Sequence, residues 1–152
     1  MKIHFMGIAG SGMSACAMIA HKNGHTVSGC DLNLDTPYSK QLKDEKIKLY
    51  SNHDKDHVKD SDILAVTPAA YFQNKSHPEL TKTTAKAMTW QSLLGKHLLK
   101  DKYVYAVAGT HGKSTTTGML AKVFIDAKLD PSVIVGAKFT EKGQNYVFGK
   151  SK

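Results

Sequence analysis

Residues 2–31 pass from an apolar run through a glycine-rich turn into small residues, and then into a second apolar run. Few folds accept that order. "KIHFMGI" (2–8) reads as a buried strand, "GSGMSACAMIAHKNG" (10–24) as a helix of small residues closed by Gly24, and "HTVSGCD" (25–31) as a second strand ending in an acid. Strand, helix and strand in succession make a βαβ unit with parallel strands. The same residues carry a lysine, an apolar stretch and small residues, as a secretion signal does. Glycine and serine break that apolar run and His4 interrupts it early, so the strand–turn–helix reading fits better.

The alternation continues. Thr36 and Pro37 supply a cap and a first-turn proline before "YSKQLKDEK", where Tyr38 and Leu42 share a face. "IKLY" (47–50) and "SDILAVTPA" (61–69) read as strands, the second stopped by Pro68. "HPELTKTTAK" (77–86) reads as a helix opened by Pro78, and "AMT" (87–89) as a fifth short strand. Trp90, Leu93, Leu94, His97 and Leu98 recur at helical spacing. "KYVYAVAG" (102–109) is expected to be a strand with Ala106 and Val107 in its core. Met119, Leu120, Val123, Phe124 and Ala127 give the following helix an apolar stripe, and "SVIVG" (132–136) ends the series as a strand. The expected class is α/β: a Rossmann-like doubly wound parallel sheet, followed by the start of a P-loop ATPase domain. The polar "KDK" (100–102) suggests a boundary, with one domain over 1–100 and an incomplete second α/β unit over 101–152.

Composition excludes some classes. The net charge is +8, but every Lys/Arg position is lysine, and the lysines are scattered. Without arginine, the usual reader of guanine edges and backbone phosphates, no nucleic acid is expected as a partner. A compact anion such as a nucleotide suits the charge. No apolar run reaches the length of a membrane span. Cys16 and Cys30 form neither a disulfide framework nor a metal-binding spacing, as expected of free thiols in a reducing cytoplasm.

Two glycine loops carry the chemistry. "GIAGSG" (7–12) joins the first strand to the first helix, where a dinucleotide fingerprint would read G-x-G-x-x-G. Ala9 holds the second glycine position and Gly10 is extra. Backbone amides at a helix start favour an anion. Asp31 stands about where that fingerprint places a ribose-binding acid. A tight turn without a ligand, and a turn-forming Asp31, remain alternatives, as does an NAD-dependent dehydrogenase. "AGTHGKSTT" (108–116) follows the expected strand and opens a helix. Gly109 and Gly112 free the backbone to aim amides at phosphate oxygens. Lys113 would neutralise the β- and γ-phosphates, the Ser114 hydroxyl would bind Mg²⁺, and Thr115 and Thr116 would add donors. Val107 departs from the strict G-x-x-x-x-G-K-[ST] pattern.

"IHFMGIAGSGMS" (3–14), "VSGCDL" (27–32) and "AVAGTHGKSTTTGML" (106–120) together resemble the Mur ligase family, the ATP-dependent amide-bond-forming enzymes of peptidoglycan assembly. The resemblance runs from residue 3 to 152, and His111 points to the branch that joins L-alanine to UDP-N-acetylmuramate. The branch that recycles murein tripeptide shares this histidine-bearing loop. A stand-alone nucleotide-binding module is a third reading. The resemblance implies that Gly7, Ala9, Gly10, Ser11 and Gly12 face the diphosphate of the UDP-sugar, Asp31 its ribose and His53 its uridine. His53 also reads as an exposed loop histidine. The resemblance further implies that Gly109, Thr110, His111, Gly112, Lys113, Ser114 and Thr115 bind ATP, with Mg²⁺ on Ser114 and Lys113 stabilising the migrating phosphoryl group. In the family an acidic Mg²⁺ motif and an amino-acid-binding domain follow. The 152 residues are therefore expected to be an N-terminal piece, or a truncated product, that binds the UDP-sugar, holds ATP weakly and turns nothing over.

Overall fold

The computed structural model describes residues 1–73, 76–141 and 143–151. Lys152, the last residue of the expected second unit, lies outside them. Five strands form one sheet: β1 (Lys2–Met6), β2 (Thr26–Cys30), β3 (Lys48–Tyr50), β4 (Ile63–Val66) and β5 (Lys86–Thr89). All their pairings are parallel and the order is β3-β2-β1-β4-β5. The order reverses beside β1, the switch point at which doubly wound sheets bind ligands.

The two-residue period of a strand sorts the side chains onto two faces. Ile3, Phe5, Val27, Ile63 and Ala65 join the core around α1 (Ser11–Lys22). Met6, Cys30, Leu64 and Val66 form a second cluster with Val58 and Ala85. Residues Met13 to Ala20 of α1 are all buried. A helix enclosed on every side cannot carry a polar face, which explains its run of Ala, Ser, Cys and Met. After α1, Gly24 takes a left-handed φ of +84°, its amide bonds to the His21 carbonyl and that of His25 to the Ala20 carbonyl.

Shorter elements connect the strands: α2 (Ser39–Asp44), a 3₁₀ turn (Lys55–His57), α3 (Pro68–Gln73), α4 (Pro78–Thr81) and α5 (Trp90–Leu93) with a π-helical extension, Leu94–Leu98. Beyond them lie α6 (Lys113–Asp126), β6 (Val133–Ile134) and β7 (Tyr146–Val147). Among the described residues no helix is long and apolar enough to cross a membrane.

Several expectations are corrected. Pro68 starts α3 instead of merely ending a strand: Thr67 caps it, its hydroxyl accepting from Ala70 N at 3.2 Å. The helix expected over 77–86 is only α4, because the chain turns after Thr81 to reach β5. Thr36 does not cap α2, since its hydroxyl donates to the Ala9 carbonyl at 3.0 Å. The strand expected over 102–109 does not form. A strand needs a neighbour for its N–H and C=O groups, and among the described residues none pairs with this segment. Tyr103, Val104, Tyr105 and Ala106 are exposed and Val107 is half-buried, not core. The strand expected over 132–136 is the short β6; it is followed by β7 and pairs antiparallel with it, not in a parallel βαβ unit. The stripe on α6 is only partly covered: Met119, Val123 and Ala127 are exposed, while Leu120 and Phe124 are half-buried. Ala121 instead faces a small cluster with Val133 and Val135.

This last region docks on the first. Tyr146 is buried in the core around α1. Fully buried Asn145 donates from Nδ2 to the Ser11 carbonyl (2.6 Å) and to Ser14 Oγ (3.2 Å), and accepts from Gln41 Nε2 (2.8 Å).

Candidate functional site

The first glycine loop sits where β1 gives way to α1. Gly7 has φ +82°, which a side chain rarely tolerates. This turn aims the Gly7 and Ile8 amides inward at the Cys30 carbonyl, at 2.8 and 3.1 Å. The Ala9 amide donates to Asp31 Oδ2 at 3.0 Å, and Gly10 N closes the turn on the Gly7 carbonyl. Residues 7–10 thus spend their amides inside the protein. Ser14 N bonds to the Gly10 carbonyl, while the amides of Ser11, Gly12 and Met13 have no protein partner among the described residues. An anion at this loop meets the start of α1 and its dipole rather than the glycine turn itself.

Gly12 has a packing role. A Cβ there would lie 2.7 Å from Trp90 Cζ2. The indole therefore lies flush against the first turn of α1, a contact between residues 78 positions apart that no local pattern signals. Asp31 holds the loop: besides Ala9 N, its other oxygen, Oδ1, accepts from Asn33 N at 3.1 Å. Each carboxylate oxygen accepts more than one bond, so Asp31 keeps acceptor capacity for a ligand hydroxyl. His53 is drawn elsewhere. Its Nδ1 lies 3.1 Å from Cys30 Sγ and 3.5 Å from Glu79 Oε2, leaving Nε2 as the ring atom available to a ligand.

The second loop precedes α6. Gly112 caps that helix in the left-handed region (φ +76°), and Gly109 has φ +154°. Thr116 N returns to the Gly112 carbonyl, while the Lys113, Ser114 and Thr115 amides lack protein partners among the described residues. Lys113 Nζ folds back to donate to the carbonyls of Gly109 (2.5 Å) and Thr110 (3.0 Å). Thr110, His111, Ser114 and Thr115 are exposed. No hydrogen bond among the described residues joins the two loops. A cavity of about 390 Å³, lined by Pro68, Tyr71, Met88, Gln91 and Lys96 among others, shares no residue with either loop.

The geometry thus offers two helix starts with free amides, one beside the switch point and one crowned by a lysine. A family model described as "Mur ligase family, catalytic domain" matches residues 2–98. A UDP-N-acetylmuramate–L-alanine ligase of Clostridium botulinum (strain Hall) is 40% identical over 152 residues, which is 98% of this chain and 32% of the relative. The chain therefore spans about a third of the length of the curated relatives it matches. Among solved structures, a murein peptide ligase of Psychrobacter arcticus aligns with a TM-score of 0.88 and 29% identity, covering 100% of this chain and 34% of that one. The UDP-N-acetylmuramate–alanine ligase of Thermotoga maritima aligns with a TM-score of 0.83 and 31% identity, covering 99% and 35%. A family model spanning most of the chain and a sheet that overlays those ligases lead to one conclusion: the chain belongs to the Mur ligase family.

Proposed function

We propose that this chain is the N-terminal part of an ATP-dependent UDP-N-acetylmuramate–L-alanine ligase, a cytoplasmic enzyme of peptidoglycan synthesis. In this reading residues 1–100 hold the UDP-sugar and residues 101–152 begin the ATP-binding unit. The observation that carries it is the 109–115 turn, with its left-handed Gly112, its free amides and Lys113 folded onto the Gly109 and Thr110 carbonyls of the same turn. The 40% identity to the botulinum ligase supports the choice of sugar and amino acid.

The residues fit their ligands. Neutral carbonyls hold the Lys113 ammonium, and a phosphate oxygen, carrying charge, attracts it more strongly. The Ser114 hydroxyl is a hard oxygen donor at an exposed helix start, as suits Mg²⁺ that keeps waters and phosphate oxygens. Bound MgATP would supply the phosphoryl group that turns the muramoyl carboxylate into an acyl phosphate, from whose acyl carbon the amino group of L-alanine would displace inorganic phosphate to form the amide. Lys113 positions and neutralises that phosphoryl group, while Gly109, Thr110, His111, Gly112 and Thr115 line it. At the other loop Gly7, Ala9 and Gly10 shape the turn, and Ser11 and Gly12 present amides to the diphosphate. Asp31 faces the ribose and His53 Nε2 the uridine.

Calorimetric titration of the folded chain with UDP-N-acetylmuramate is expected to give saturable binding to one site, unchanged in Lys113→Ala. MgATP binding is expected to weaken about tenfold or more in that variant, which loses a charged hydrogen bond. A folded chain that gives no heat with the UDP-sugar would refute the substrate. The 0.88 TM-score with the murein peptide ligase favours a second reading, in which the acceptor is a peptide. Turnover by the complete protein with L-alanine, compared with L-alanyl-γ-D-glutamyl-meso-diaminopimelate, decides between them.

A further inference from the structure

On the sheet face opposite α1, four side chains from distant parts of the chain converge. His4 comes from the middle of β1, Cys30 from the end of β2, His57 from the 3₁₀ turn and Glu79 from α4. One ligand atom from each lies within 4.8 Å of all the others. Cys30 Sγ is 3.3 and 3.5 Å from the two Glu79 oxygens, and His57 Nδ1 is 3.9 Å from Glu79 Oε1. A tetrahedral ion with ligand bonds of 2.0–2.3 Å sets its donors about 3.5 Å apart, so much of this spacing already exists.

Independent observations point to a ligand. His4 Nε2 and His57 Nδ1 are buried polar atoms with no hydrogen-bond partner. Such orphans are rare and costly. His4 is wholly buried, and its other nitrogen, Nδ1, meets Ser28 Oγ at 2.9 Å. That bond is the outer-shell contact by which a metal-bound histidine is oriented, with Nε2 left to coordinate. Glu79 is also wholly buried. Its contacts are the Cys30 thiol, the Asp54 amide at 2.8 Å and the rings of His53 and His57; no lysine pairs with it among the described residues. A carboxylate in that position calls for a cation.

We propose that His4, Cys30, His57 and Glu79 form a four-coordinate Zn²⁺ site, separate from the Mg²⁺ of the nucleotide loop. One sulfur, two nitrogens and one oxygen suit a borderline-soft ion and disfavour Mg²⁺ and Ca²⁺, which want oxygen alone. The Cys30 thiol gives up its proton to solvent as sulfur bonds the ion. His53, 3.1 Å from Sγ, then donates a hydrogen bond to the thiolate from Nδ1 as an orienting neighbour. The side chains of His57 (13% exposed) and His53 (20%) open the path by which the ion enters. The ion would tie β1 and β2 to the 3₁₀ turn and α4, adjoining the Cys30 carbonyl on which the first glycine loop rests.

The test uses the whole chain, stripped with chelator and titrated with Zn²⁺ against a chromophoric competitor, with Co²⁺ as the optical probe. One Zn²⁺ per chain is expected, and Co²⁺ should give tetrahedral visible bands with a thiolate charge-transfer band in the near ultraviolet. Cys30→Ser should abolish that band. His57→Gln, at a partly exposed position, should weaken Zn²⁺ binding by roughly a hundredfold or more, beyond the effect of an outer-shell change. Cys16→Ser, at the other buried thiol, should change neither. A folded wild-type chain that binds no Zn²⁺, a Co²⁺ spectrum without the thiolate band, or a His57→Gln variant that binds like the parent would each overturn the site. If Cys30→Ser does not fold, the wild-type spectrum and His57→Gln still decide.

Discussion

Replacing Gly29 with alanine is expected to remove about 3 kcal/mol of folding stability, as overpacking at a site with no slack does. The added Cβ would stand 2.5 Å from Ile8 Cδ1 and 2.7 Å from both Ile8 Cβ and the Phe5 carbonyl oxygen. Neither neighbour can step aside. Phe5 belongs to β1, and Gly29 is laddered to Phe5 on one side and Leu49 on the other. Ile8 is fully buried, and its amide is fixed to Cys30. The effect reaches the site, because the bare Gly29 backbone lets the first glycine loop lie down across β2. Gly10→Ala is the contrast: φ there is −70°, and the nearest atom to an added Cβ is 3.5 Å away. Urea unfolding of both variants checks the claim. A Gly29→Ala loss below about 1 kcal/mol, or a similar loss at Gly10, would show that the loop is not seated as described.

Asn145→Ala is expected to destabilise the chain by roughly 3 kcal/mol, the cost of buried polar groups left without partners. Gln41 Nε2, the Ser11 carbonyl and Ser14 Oγ all meet this one side chain. The loss should be local as well as global. Amides of residues 132–149 should exchange faster than those of β1 and β2, because Asn145 and Tyr146 are what seat β7 against α1. A double-mutant cycle with Gln41→Leu should show coupling of about 1 kcal/mol, since removing both partners leaves fewer orphans than removing one. Additive losses and unchanged exchange would mean that β7 stays seated without this bond.

The parallel sheet could be read in the sequence because local rules set it. Glycine at the β1–α1 turn, apolar runs of strand length and the small residues of α1 all act within a few positions of themselves. Residues 102–108 misled for the opposite reason. Their β-branched and aromatic residues favour a strand, but a strand exists only beside a partner, and among the described residues none pairs with them. Pro68 was ambiguous because the same ring that ends a strand is preorganised for the first turn of a helix. Within the candidate site, the glycines and Lys113 stood out by spacing. What spacing could not convey was direction: the Gly7, Ile8 and Ala9 amides face inward, and Asp31 turns to hold one of them. The meeting of His4, Cys30, His57 and Glu79 was equally hidden, since no two are close in the chain and only the sheet order brings them together.

Trp90 is the sole tryptophan, and its ring edge is packed on Gly12 at the start of α1. An anion arriving at those amides changes the electric field across this one fluorophore. At the proposed sugar-nucleotide site the molecule therefore has its own optical sensor. Nucleotide arriving at the proposed Lys113 site would have no indole of its own to perturb, so emission would separate the two proposed binding events without any label.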